Sequence, residues 1–249
     1  MTTESNDWGD EVLFHVDLSP GIQTHVRTLD WLLALRSTCK RATLAIVFKP
    51  TVAKELWHTY GTDMYYHAVH TGDLPLLQCA VRRGCPTFAV CREAAKAGHL
   101  EILEWAHEHD CPWDNGTCWE AAVGGHFECL TYAHEHGCPW DKGTCWEAAV
   151  RGHLECLTYA HEHGCPWDEH TCWGAAFYGR LECLTYAHEH GCPWDEDTCT
   201  HAAEGGHVEC LTYARDHGCP WDEGTCREAA VGGHLECLTY AHEHGCPWD

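Results

Sequence analysis

The chain has 249 residues, 45% of them hydrophobic, and a formal net charge of -23. That is enough apolar material for a sizeable core. The longest apolar run, Leu44 to Phe48, falls far short of the ~18 residues of a membrane span, so no membrane partner is expected. The opening MTTESNDWGDE is acidic and unlike a secretory leader, and the expected location is intracellular, cytoplasmic or nuclear. From residue 110 onward 25 Asp and Glu stand against 5 Lys and Arg. Such a surface repels phosphate backbones, so nucleic acid is not an expected partner.

Residues 1–60 do not repeat. They hold Glu11-Val12-Leu13-x-x-Val16, then LLALRSTCK from Leu32 to Lys40. Leu29, Leu32, Leu33 and Leu35 on one amphipathic helix would shield the apolar end of a repeat array. The same residues resemble an F-box, although Trp8-Gly9 stand where that family opens with Leu-Pro. In the family this small helical module binds the ubiquitin-ligase linker protein Skp1. The resemblance implies a ligase-core-binding surface at Leu13, Leu32, Leu35, Arg36 and Cys39. An F-box-like module and a helical cap both stand as readings of 1–60.

Residues 61–249 hold about seven units. The first, Tyr66 to Ala80, is divergent and carries Asp73 where later units place His99 or His126. Thereafter one unit recurs every 27 residues, with Cys219 to Gly245 a clear copy. Repetition at this length points to a solenoid, whose units bury their apolar faces against one another. Thr225-Cys-Arg-Glu228 predicts a helix opened by a capping box, as do Thr117/Glu120 and Thr144/Glu147; Thr171 and Thr198 keep the Thr alone. This Ala-rich helix is predicted to end at Gly232-Gly233-His234. A second helix follows from Leu235, with Leu235, Leu238, Ala241 and Cys237 on its buried side. Gly245 suits a left-handed C-terminal cap and Pro247 blocks continuation. The fold class expected is all-α, a helix-turn-helix solenoid with one Trp per layer, from Trp113 to Trp248.

Ala121-Ala122-x-x-Gly125-His126-x-Glu128, running on to Gly137-Cys138, resembles the ankyrin repeat, and the likeness covers about residues 65–249. The family's unit has about 33 residues. The shortfall lies between the Asp141 and Thr144 positions, where the family carries its β-hairpin finger, so shortened hairpins are implied. Ankyrin-like arrays with Cys-Pro-Trp-Asp turns resemble those of giant DNA viruses, which implies a host protein as target.

The 20 cysteines come three to a unit, for example Cys118, Cys129 and Cys138, an odd number that cannot close within it. Reduced thiols acting as small buried hydrophobes are expected. His134-Glu135-His136 recurs, but a spacing of two puts the rings on different faces, with the next layer about 10 Å away. A structural zinc site needs four converging ligands, so neither metal nor cofactor is expected, and these histidines are expected to face solvent near helix C-termini. For His99, His126, His153, His207 and His234 at the interhelical turn, with Arg180 in their place once, the ankyrin resemblance implies backbone bonds between layers. A Cys–His–acid set repeated identically offers no unique recessed site, so an enzyme is not expected.

Between copies the framework barely changes, while a few first-helix positions vary together. Trp119, Glu120, Trp146, Glu147, Arg151, Trp173, Phe177, Tyr178, His201 and Arg227 are therefore the candidate partner-binding residues. The expected function is a non-enzymatic protein–protein adaptor that recruits targets to an SCF-type ubiquitin ligase. The alternative is a pure binding scaffold or host-protein decoy. At the far end Leu235, Leu238, Ala241 and Trp248 are expected to lie exposed, driving end-to-end self-association or fraying.

Overall fold

The structure is a computed structural model that describes residues 65–82 and 84–247. The expectations placed on residues 1–60, including Leu13, Leu32, Leu35, Arg36 and Cys39, and the one placed on Trp248, lie outside the described residues. Fourteen helical segments and no strand occur among those described. They fall into two compact units, divided between Thr87 and Phe88.

The N-terminal unit contributes a helix over 65–70 and α1 (Leu74–Arg82). Ala68 and Val69 of the former and Leu77 and Ala80 of the latter are fully buried. Asp73, at the position of the later turn histidines, has a capping role: the Leu76 amide donates to its Oδ1 at 3.1 Å.

The second unit is six helix pairs: α2 (Val90–Ala97) with α3 (Leu100–Glu108), α4 (Asn115–Gly124) with α5 (Phe127–Glu135), α6 (Lys142–Arg151) with α7 (Leu154–Glu162), α8 (Glu169–Phe177) with α9 (Leu181–Glu189), α10 (Glu196–Glu204) with α11 (Val208–Asp216), and α12 (Glu223–Gly232) with α13 (Leu235–Glu243). Each first helix packs on its own second helix and on the first helix of the adjoining layer. Small residues allow this approach: Cys118, Ala121 and Ala122, and their counterparts in α6 and α8, are fully buried. On the second helices the buried set is Cys129, Leu130 and Ala133, in which spacings of four and three converge on the alanine. Each such leucine contributes roughly 1.5–3 kcal/mol by its burial.

Two expectations are corrected. Of the side expected to lie exposed in the last layer, Leu235 is 73% exposed, whereas Leu238 is half-buried and Ala241, packed against its own first helix, is fully buried. The helix starts also differ from the capping-box reading. Each of α4, α6, α8, α10 and α12 begins two residues before its Thr, and the cap is the Asp of Pro-Trp-Asp, three before it. The Gly116 amide donates to Asp114 at 3.0 Å, Gly143 to Asp141 at 2.9 Å and Gly224 to Asp222 at 2.9 Å. The aspartate wins because its short side chain reaches the second amide from extended backbone, while Thr117 and Thr144 already sit buried inside the helix. The first copy tests the rule: it reads Cys85-Pro-Thr-Phe, has no Asp, and α2 starts at Val90 with Ala89 at the cap position and no side-chain cap.

Second helices end as the glycines predict. Gly137 adopts φ 84°, its amide donates to His134 at 2.9 Å, and the Cys138 amide donates to Ala133 at 2.9 Å. This double closure satisfies carbonyls that the helix leaves open. Only Pro139 and Trp140 then lie between the closure at Cys138 and the next helix cap, Asp141, so the hairpin is reduced to a turn.

Candidate protein-interaction face

Three sets of side chains join the layers. The turn histidines reach back one layer: His126 Nε2 lies 3.1 Å from the Lys96 carbonyl and His153 Nε2 lies 3.3 Å from that of Val123. Arg180 makes the same bond from Nε to the Val150 carbonyl at 3.2 Å. The imidazole packs so tightly over the preceding glycine that a Cβ at Gly125, itself at φ 69°, would stand 2.4 Å from His153 Nδ1. The turn cysteines supply the second link. Cys138 Sγ donates to the Asp114 carbonyl at 3.1 Å, and Cys165, Cys192, Cys219 and Cys246 repeat this on the preceding cap aspartates at 3.1–3.2 Å. The described cysteines are free thiols, buried except for Cys79 and Cys85.

The third set corrects the expectation of solvent-facing histidines. Of each His-Glu-His pair, the first ring stacks on the following Trp, with centroids 3.8 Å apart for His134 and Trp140, 3.7 Å for His161 and Trp167, and 3.8 Å for His188 and Trp194. Its Nδ1 meets a tyrosine hydroxyl of the next layer: His134 with Tyr159 at 3.0 Å, His161 with Tyr186 at 3.2 Å, and His188 with Tyr213 at 3.1 Å. Burial, reinforced by His163, His190 and His217 respectively, pushes these three imidazoles below their ordinary pKa. The second ring of each pair is exposed and turns back on its own helix, as His136 does to the Tyr132 carbonyl at 2.8 Å. Arg215 stands in for the stacked histidine once, over Trp221 at 4.5 Å. That arginine was the available sequence signal, since it marks a position where a ring or a guanidinium must lie flat on an indole.

The variable residues share the first-helix face. Trp119, Trp146 and Trp173 are half-buried, because each leans over the next layer. The Trp119 indole lies against Gly143, and the Trp146 Nε1 would stand 3.0 Å from a Cβ on Gly174. Glu120 and Glu147 are 8% and 5% exposed and sit at the base of the face. Lys96 Nζ lies 3.7 Å from Glu120, and Arg151 Nε donates to Glu147 at 3.3 Å. Arg151, Tyr178 and Arg227 are exposed, Phe177 and His201 half-buried. Arg227 donates to Glu228 at 3.2 Å. Trp173, Phe177, Tyr178 and His201 come together as one ring cluster, whereas Trp119 and Arg227 belong to separate layers.

Among the described residues one group offers three converging ligand atoms, Asp168, Glu169 and His170. Its geometry is accounted for without an ion: Lys142 Nζ donates to Asp168 at 2.7 Å, and the His170 amide and ring both meet the same carboxylate. Among these residues no helix is long and apolar enough to cross a membrane.

No protein-family model matches the chain, and no curated protein matches it. A crystal structure of the human ASB11 ankyrin repeat domain superposes with a TM-score of 0.54 at 20% identity, covering 62% of this chain and 83% of that one. This is an ankyrin-repeat fold.

Proposed function

We propose that the array holds a protein partner across the first-helix face, through Trp119, Trp146, Trp173, Phe177, Tyr178, His201 and Arg227. One observation carries this reading: the interlayer framework repeats from copy to copy, while the side chains that change project from one face of the first helices. Glu120 and Glu147 then act from below, by holding Lys96 and Arg151. The resemblance of Leu32 to Lys40 to an F-box supports a further role, in which Leu13, Leu32, Leu35, Arg36 and Cys39 engage Skp1 and present a host target to an SCF-type ligase.

Affinity capture with the full chain and its Trp146→Ala/Trp173→Ala/Tyr178→Ala variant tests the face. A partner retained undiminished by the variant removes this reading. Capture of Skp1 by the full chain, lost on changing Leu32 and Leu35 to Asp, supports the ligase role. Undiminished Skp1 capture by that variant removes the F-box reading, and no Skp1 capture at all leaves the plain scaffold.

A further inference from the structure

Two adjacent layers of the first-helix face break its pattern in the same place. In α4 and α6 the face carries a carboxylate with a cation beside it, Glu120 with Lys96 and Glu147 with Arg151. In α8 Gly174 takes the carboxylate position and Tyr178 the arginine position; in α10 His201 stands where the glutamate was. The rings close on one another across the two helices. Trp173 and His201 have centroids 4.6 Å apart, Phe177 and His201 6.0 Å, and Phe177 and Tyr178 4.8 Å. Tyr178 is 47% exposed, far more than a core tyrosine.

What surrounds the rings is acidic. Glu204 meets His201 Nδ1 at 3.0 Å and has 43% of its side chain in solvent. One turn before the rings, at the starts of the same two helices, stand Glu169, Asp195, Glu196 and Asp197. Asp195 lies partly buried with Asp197, Glu196 and Glu169 facing it, and burial followed by this crowding pushes its carboxyl above the ordinary carboxylate range. The cations nearby are already engaged: Lys142 on Asp168, Arg151 on Glu147 and Arg180 on the Val150 carbonyl. An electron-rich ring cluster beside crowded carboxylates favours a cation over a neutral or anionic group.

We propose that the Trp173–Phe177–Tyr178–His201 cluster seats a lysine or arginine side chain of a basic partner segment, whose flanking cations meet Glu169, Asp195, Glu196 and Asp197. This rests on the first-helix face being the docking surface. Stacking on the rings holds the aliphatic stem and the charge together, and cations arriving at Asp195 relieve its crowding. An acidic partner would add to that crowding, and an apolar one would strip water from the carboxylates without replacing it.

The test uses the full chain and three labelled peptides of equal length, one Lys/Arg-Ser, one Glu-Ser and one Leu-Ser, read by fluorescence anisotropy. The basic peptide is expected to bind, and Tyr178→Arg, which copies the residue at position 151, is expected to weaken it at least tenfold in a folded protein. Asp195→Asn/Glu196→Gln/Asp197→Asn is expected to weaken it and to flatten its salt dependence. Removing as much charge from the exposed second-helix positions, by Glu128→Gln/Glu155→Gln/Glu182→Gln, should change affinity less than twofold. Equal losses from both charge variants with none from Tyr178→Arg would mean diffuse attraction and overturn the proposal. Preference for the Leu-Ser or Glu-Ser peptide, lost in Tyr178→Arg, would overturn the cationic chemistry while keeping the face as a docking surface. Partner capture that survives every first-helix change would overturn the docking reading itself.

Discussion

Arg180 Nε donates to the Val150 carbonyl at 3.2 Å, in the place that His153 occupies on the Val123 carbonyl one layer earlier. Arginine has no acceptor, so the position requires a donor, and the histidines there carry their proton on Nε2. Arg180→His should therefore change stability by less than about 0.5 kcal/mol. Arg180→Met leaves the carbonyl without its partner and should cost roughly 1–3 kcal/mol. Urea midpoints at constant slope measure both, and equal midpoints for the two variants would refute the assignment.

The helix caps give a sharper contrast. Asp141→Ala should lower stability by about 0.5–2 kcal/mol, and Asp141→Asn should recover most of it, because either side chain accepts the Gly143 amide. At α2, whose cap position is Ala89 and has no side-chain cap, Ala89→Asp should stabilise by about the same amount. Thermal unfolding of the single variants decides. A neutral Asp141→Ala would return the cap to Thr144.

Acid should loosen the array through three imidazoles. His134, His161 and His188 are held below their ordinary pKa by burial, then by the facing His163, His190 and His217, against the opposing pull of Glu135, Glu162 and Glu189. A lowered folded-state pKa means that the unfolded chain binds more protons just below about pH 6.5. Their contribution is complete above that pH and is lost as the pH falls through the folded-state values. The variant His134→Arg/His161→Arg/His188→Arg, which copies Arg215 over Trp221, should flatten the urea midpoint between about pH 7 and pH 5.5 relative to the parent. Parallel pH profiles would exclude the stacks as the source.

Thiol chemistry separates buried from accessible cysteines. Burial pushes Cys91, Cys129, Cys156 and Cys210 up to about 12, and the hydrogen bond with Cys138, followed by burial, raises Cys118 further. Thiolate is the reactive form, so alkylation of the native chain should mark Cys79 and Cys85 well before the 17 buried described thiols. Peptide mapping after timed labelling checks this. Early modification of Cys129 or Cys156 would contradict it.

The architecture was legible because the period, the glycines and the alanines each impose one geometry. Gly137 and Gly245 end helices wherever they stand, and Ala121-Ala122 admits a neighbouring helix whatever surrounds it. Helix starts were less legible, because Thr117 and Asp114 are both good caps and only the backbone path decides between them. The roles of His134 and Trp140 were hidden for another reason. Their stack joins residues six apart across a helix end, a contact that helical periodicity does not encode. The half-burial of Trp119 and Trp146 was equally out of reach, since it depends on Gly143 and Gly174 in the following layer.

The thiol links from Cys138 to Asp114 and from Cys165 to Asp141 are interchangeable, as are most contacts between layers. A layer therefore recognises its neighbour by type and hardly by identity. Stacking α6–α7 directly on α10–α11, with 27 residues looped out, preserves nearly all of these bonds, and loop closure adds little against it. What opposes the slip is the fit of Trp146 onto Gly174, a position that His201 fills one layer later. Correct register is thus guarded by a few exceptions to the repeat, and a chain refolded at high concentration will exchange layers with its neighbours wherever those exceptions are erased.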